Sequence, residues 1–89
     1  MATLFVRHTA EDYAAWRQVY DGFAPTARTL GVRADSVYQA AGNPNDITVT
    51  HEFDSLEAAQ TFAGSSELRE AMHAAGVVGA PTIWFATRA

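Results

Sequence analysis

The chain predicts an α+β fold of the split β-α-β, or ferredoxin-like, plan, with elements in the order β-α-β-β-α-β. Three observations carry this reading. Residues 3–9 and 47–53 alternate apolar and polar side chains with a period of two, as half-buried strands do. Tyr13, Trp16, Tyr20, Phe23, Ala27 and Leu30 recur three and four apart, the stripe of an amphipathic helix. Turn formers at residues 41–46 then join two extended stretches as a hairpin. At 89 residues, the whole of 1–89 is one domain.

In the first strand Leu4, Val6 and His8 share one face, and Phe5 and Arg7 the other. Thr9-Ala10-Glu11-Asp12 reads as a capping box with Thr9 as N-cap. The long helix that follows ends at Gly31, a natural C-terminal stop, and Pro25 predicts a kink or break near residues 22–24. Residues 33–40 form a second strand, with Ser36 and Tyr38 on one face and Val37 and Gln39 on the other. In the third strand Ile47, Val49, His51 and Phe53 lie together on the expected core face. Asp54-Ser55-Leu56-Glu57 opens a helical segment carrying Leu56, Ala59, Phe62 and Ala63, punctuated by Gly64-Ser65-Ser66. A further helix carries Leu68, Met72 and Ala75, and residues 81–86 form the last strand.

Helices on one face of a four-stranded antiparallel sheet leave the other face without cover. Ile83, Trp84 and Phe85 are consecutive, so large apolar side chains point both ways from the last strand. A homodimer paired sheet to sheet is therefore expected, with Arg7 and Glu52 as an ion pair at the interface.

Composition removes several chemistries. There is no cysteine, and all six basic residues are arginine, so thiolate nucleophiles, Cys-ligated metals, lysine Schiff bases and phosphate-binding P-loops are excluded. A net charge of −4 with scattered arginines argues against nucleic acid. The N-terminal residues lack a signal-peptide pattern, and no apolar run approaches a membrane span, so a cytoplasmic location is expected.

The aromatic first helix, Asp12-Tyr13-Ala14-Ala15-Trp16-Arg17-Gln18-Val19-Tyr20-Asp21, carries a family resemblance. So does His51-Glu52-Phe53-Asp54-Ser55-Leu56-Glu57-Ala58, the third strand running into its helix. Together with the element order they make nearly the whole chain resemble the dimeric α/β-barrel superfamily, closest to small bacterial members labelled cyclase or antibiotic-biosynthesis monooxygenase. The resemblance implies a dimer of ferredoxin-like sheets and a pocket between sheet and helices for aromatic or polyketide-like molecules or haem. The chain departs from the family's catalytic patterns. Cyclising members use a Tyr and a His where this chain has Phe62 and Leu68. Haem-degrading and quinone-forming members use a first-strand Asn, absent here, and a third-strand Trp where this chain has Phe53.

From the residues themselves, His51 is the leading candidate: a titratable imidazole among aliphatics, whose burial would favour the neutral form a general base needs. Tyr38, expected beside it, and His8, at the far end of the first strand, are candidate partners that polarise a carbonyl. The two imidazoles should flank one pocket more than ~10 Å apart, given ~3.4 Å per strand residue. Alternatively, His51 is a core histidine held by a backbone carbonyl or by Tyr38, and His8 a strand-end histidine in solvent near Thr9 and Asp12. Trp16, Tyr20, Phe23, Val49, Phe53, Phe62, Met72 and Trp84 are the expected substrate-binding wall. His73, next to Arg69 and Glu70, reads as part of an exposed charged cluster. No spaced histidine pair suggests a metal, and no cofactor is expected. The expected activity is a cofactor-independent cyclase acting on a hydrophobic aromatic or polyketide-like molecule. A cofactor-free monooxygenase of a phenol is the nearest alternative. A non-catalytic binding or structural dimer is the reading from another class.

Overall fold

Side-chain parity in two neighbouring strands decides which residues meet beneath the helices. The computed structural model describes residues 1–89. It contains β1 (Ala2–Ala10), α1 (Tyr13–Thr29), β2 (Ala34–Ala40), β3 (Asn43–Phe53), α2 (Leu56–Ala63), α3 (Ser66–Ala74) and β4 (Val77–Thr87). The strands form one antiparallel sheet in the order β2-β3-β1-β4. This is the expected ferredoxin-like α+β plan, with the second helical segment divided into α2 and α3.

In the β1–β3 register Leu4 faces His51, Val6 faces Val49 and His8 faces Ile47. All six are buried, on the side covered by the helices. The core under the helices falls into two clusters. Ala2, Leu4, Val6, Ala27, Phe53 and Phe62 belong to the larger one. Ala10, Trp16, Ile47, Val49 and Ala75 form the smaller. Phe53 and Phe62 pack with ring centroids 5.3 Å apart and are essentially inaccessible to solvent.

Local signals differ from expectation at three points. Asp12 rather than Thr9 is the α1 N-cap, because β1 pairs as far as Ala10 and the Asp12 carboxylate accepts from the Ala15 N–H. Pro25 sits inside a continuous α1, not at a break. It is on the exposed face, where the carbonyl it leaves without a donor can be hydrated. β4 starts at Val77, four residues before the expected strand. Its pairing with β1 is irregular between Arg7 and Thr9, where Gly79 adopts φ +73° opposite His8, a bulge whose Gly and Pro81 resemble a turn in sequence.

The outer face of the sheet is uncovered within the chain. Phe5 and Trp84 stack there at 5.1 Å, 2° from parallel, and Tyr38 and Trp84 are 58% and 41% exposed. Arg7 lies on the same face and pairs with Asp46 of its own chain, through bonds of 3.0 and 2.7 Å. No helix is long and apolar enough to cross a membrane.

Burial predicts the mutational contrast. Phe62→Ala, at the centre of the larger cluster, should cost about 3–5 kcal/mol, whereas the exposed Leu56→Ala should stay within about 1 kcal/mol of wild type. Urea unfolding of the two variants checks this.

Candidate active site

Between the two clusters the helices and sheet do not fully close. The gap is lined by Val6 and His8 from β1, Val49 and His51 from β3, Trp16, Val19, Tyr20 and Phe23 from α1, and Leu68, Ala71 and Met72 from α3, with Ala75 just beyond. Counting its mouth, it spans about 430 Å³, but the closed part has room for only a few waters. It is a narrow slot with two imidazoles in an otherwise apolar wall.

His8 and His51 are only 7% and 5% exposed. A chain of rings joins them across α1. His8 to Trp16 is 5.7 Å between centroids, Trp16 to Tyr20 4.9 Å and Tyr20 to His51 6.1 Å. The Trp16 Nε1–H donates to His8 Nε2 at 2.9 Å. Indole can only donate, so His8 Nε2 must accept, and the neutral ring carries its proton on Nδ1. That Nδ1 is buried without a partner. His8 is therefore a buried ring fixed by Trp16 with its proton on Nδ1, not a strand-end residue in solvent.

His51 is held by packing alone. Tyr20 stacks on one side and Phe62 tilts against it at 5.2 Å, and its buried Nδ1 has no hydrogen-bond partner. Burial lowers its pKa to about 4, only partly countered by the charge of Asp35. His8 is also lowered, chiefly by burial, with Asp46 opposing. Both rings are neutral near pH 7.

The structure brings together His51, His8, Trp16, Tyr20, Phe23, Val49 and Met72 as the sequence suggests. It removes four candidates. Tyr38 pairs with Thr48, so it projects from the outer face with Ser36 and cannot reach His51. Trp84 pairs with Phe5 on that same outer face. Phe53 and Phe62 belong to the solid core behind His51 and do not line the slot. His73 is exposed on α3, as expected.

Of the β2 residues that face inward, Asp35 is the register partner of His51. Its Oδ2 accepts a short hydrogen bond from the Tyr20 hydroxyl. Burial first, and this carboxylate second, push the Tyr20 pKa above the ordinary phenol range. Parity from Val37 would place Asp35 on that face, but only once β2 is known to pair with His51 opposite position 35. No group of three or more His, Cys, Asp or Glu side chains could hold a metal.

The depressed His51 pKa makes stability pH-dependent. Above about pH 6.5 the ring is neutral in both folded and unfolded chains. As pH falls towards 4 the unfolded chain takes up a proton that the native ring refuses, so stability drops, by up to about 3 kcal/mol from this group. His51→Val should remove that part of the pH slope while His8 keeps its own, as urea unfolding at pH 7 and at pH 4.5 would show.

No family model and no curated protein matches the chain, but solved structures do. SnoaB, described as a cofactor-independent oxygenase from Streptomyces nogalater, superposes with a TM-score of 0.79 at 14% identity, covering 99% of this chain and 92% of that one. Rv0793 from Mycobacterium tuberculosis gives 0.73 at 16% identity, covering 99% and 94%. A protein described as an antibiotic biosynthesis monooxygenase gives 0.76 at 11% identity, covering 100% and 99%. Identities this low show a shared fold: the chain has the ferredoxin-like architecture of these proteins, end to end.

Proposed function

We propose that the protein is a cofactor-independent enzyme acting on a flat aromatic or polyketide-like molecule, with His51 as the general base. The observation that carries this is the neutral, buried imidazole of His51, its Nδ1 unpartnered, in a slot whose other walls are apolar. A filled structural core would be expected to bond that nitrogen to backbone or to a neighbouring side chain, because an unmet buried polar group is costly. Here Nδ1 has neither, and a ligand would reach it only by displacing the rings that cover it.

A planar ligand would enter through the slot's mouth and part the α1 rings from the strands, because the closed part holds only a few waters. Trp16, Tyr20 and Phe23 supply one wall and the strand residues Val6 and Val49 the other, so a ring system would lie between them and exclude water. His8 Nδ1–H would hold a carbonyl at one end and His51 would take an acidic proton at the other. Removing that proton leaves an electron-rich anion. Such an anion can react with oxygen without a cofactor, or close a ring if it carries a suitable carbonyl. The description of SnoaB as a cofactor-independent oxygenase favours oxygenation as the reaction here. Cyclisation, the first expectation from sequence, needs the same base and slot and has no separate support.

The same reading includes a homodimer. The stacked Phe5–Trp84 pair and the exposed Tyr38 form an aromatic patch on the uncovered outer face, which a second copy of the sheet would cover.

An oxygen electrode with a tricyclic phenolic anthrone as probe tests the enzyme. Wild type should consume oxygen and yield the quinone, one oxygen atom gained and two hydrogens lost with the second oxygen leaving as water, and His51→Val should lose about 10²–10⁴-fold in rate while remaining folded. Binding without turnover would make the protein a ligand carrier, and no binding at all would overturn the proposal. For the dimer, Trp84→Arg should convert the species seen in analytical ultracentrifugation to monomer, with the His51 environment unchanged by NMR.

A further inference from the structure

Asp35 carries no mark in the sequence beyond its charge, yet the fold places it beside the candidate base. It is the register partner of His51 on the adjacent strand, and strand parity turns both towards the helices. Tyr20, one helical turn beyond Trp16, spans the two. Its hydroxyl is bound to Asp35 Oδ2 while its ring stacks on His51. Tyr20, Phe23 and His51 line both the main slot and a second recess of about 290 Å³, which Asp35 and Arg28 border on its outer side. Tyr20 is therefore the partition between slot and recess, and Asp35 is what holds its polar end.

We propose that Asp35 is the positioning residue of this site. Through the Tyr20 hydroxyl it fixes the ring that packs on His51, and it supplies the negative charge that meets a proton arriving on the imidazole. The inference rests on His51 being the proton acceptor of the proposed reaction. The other charged groups near His51 are few. On α1, Arg28 borders the recess and Arg17 lies over the Tyr20 ring at 5.5 Å, and Arg17 is itself paired with Asp21. β1 presents Leu4, α2 presents Phe62, and α3 presents Leu68 and Met72, none of them ionisable. Asp35 is thus the carboxylate available to His51, and Tyr20 competes for it.

That competition gives the proposal opposite signs in two variants. In Tyr20→Phe the ring still packs, but the carboxylate no longer shares its charge with a phenol, so His51 should take up its proton at higher pH. In Asp35→Asn the charge is gone, so the ring should stay neutral at the pH where wild type is half protonated. NMR titration of the His51 ring in the folded, ligand-free proteins reads both, with amide dispersion reporting the fold. Opposite shifts support the proposal; no shift, or shifts in one direction, overturn it. Should Asp35→Asn fail to fold, Tyr20→Phe decides alone, a rise supporting the proposal and no change or a fall overturning it. Because no substrate is present, failure of the proposed reaction and failure of this inference are read separately.

Discussion

The geometry of the slot depends on how α1 is tied to the sheet. Two side chains four residues apart on one helical face, Trp16 and Tyr20, each make one hydrogen bond to a strand, to His8 on β1 and to Asp35 on β2. Packing alone would let the helix slide along an apolar sheet, since hydrophobic contact has little direction. Two directed bonds one turn apart fix both its position and its rotation. The rings stack in the interval between the bonds, and the slot is the space they leave.

This arrangement accepts a cost. Two imidazoles are withdrawn from water, and each keeps an unpartnered buried nitrogen. An unmet polar group of this kind costs about 1–3 kcal/mol, comparable with the burial of an aliphatic side chain in its place. A Val at position 51 would remove that penalty. In a chain of this size, which buries only about 60–65% of its unfolded surface, a loss of that order is a large share of the total stability. Such expense is characteristic of a site and not of a core.

Much of this was readable from the chain, and the misses share a cause. Strict alternation in β1 and β3 placed Leu4, Val6, His8, Val49 and His51 on one surface, and helical spacing aimed Trp16, Tyr20 and Phe23 at it. Alternation fixes which residues share a face but not which face is covered. In β2 the grouping of Ser36 with Tyr38 was right, but neither set is clearly more apolar, so the choice of side fell to register. That register is set by an irregularity: Gln39 pairs with Ile47, yet Ala40 pairs with Asn43. The extra residues on β3 turn Asp35 inward and Tyr38 outward. In β4 likewise, Trp84 and Phe85 face opposite ways, and only pairing with Phe5 and Leu4 shows which one is outside.

If His51 is the base of the proposed reaction, its low proton affinity bears on the substrate. An ordinary phenol with a pKa near 10 lies about six units above a base near 4, a gap of about 8 kcal/mol. An ion pair at 4 Å in a protein environment recovers about 4 kcal/mol of that. Transfer from a simple phenol would thus remain uphill by about 4 kcal/mol, which slows it about a thousandfold. A proton flanked by carbonyls, or a phenol conjugated with one, is more acidic by several units and closes most of the gap. The same carbonyl gives the His8 Nδ1–H its acceptor. Under the proposed reaction both imidazoles would therefore favour one kind of molecule, a planar system whose acidic proton and carbonyl are conjugated.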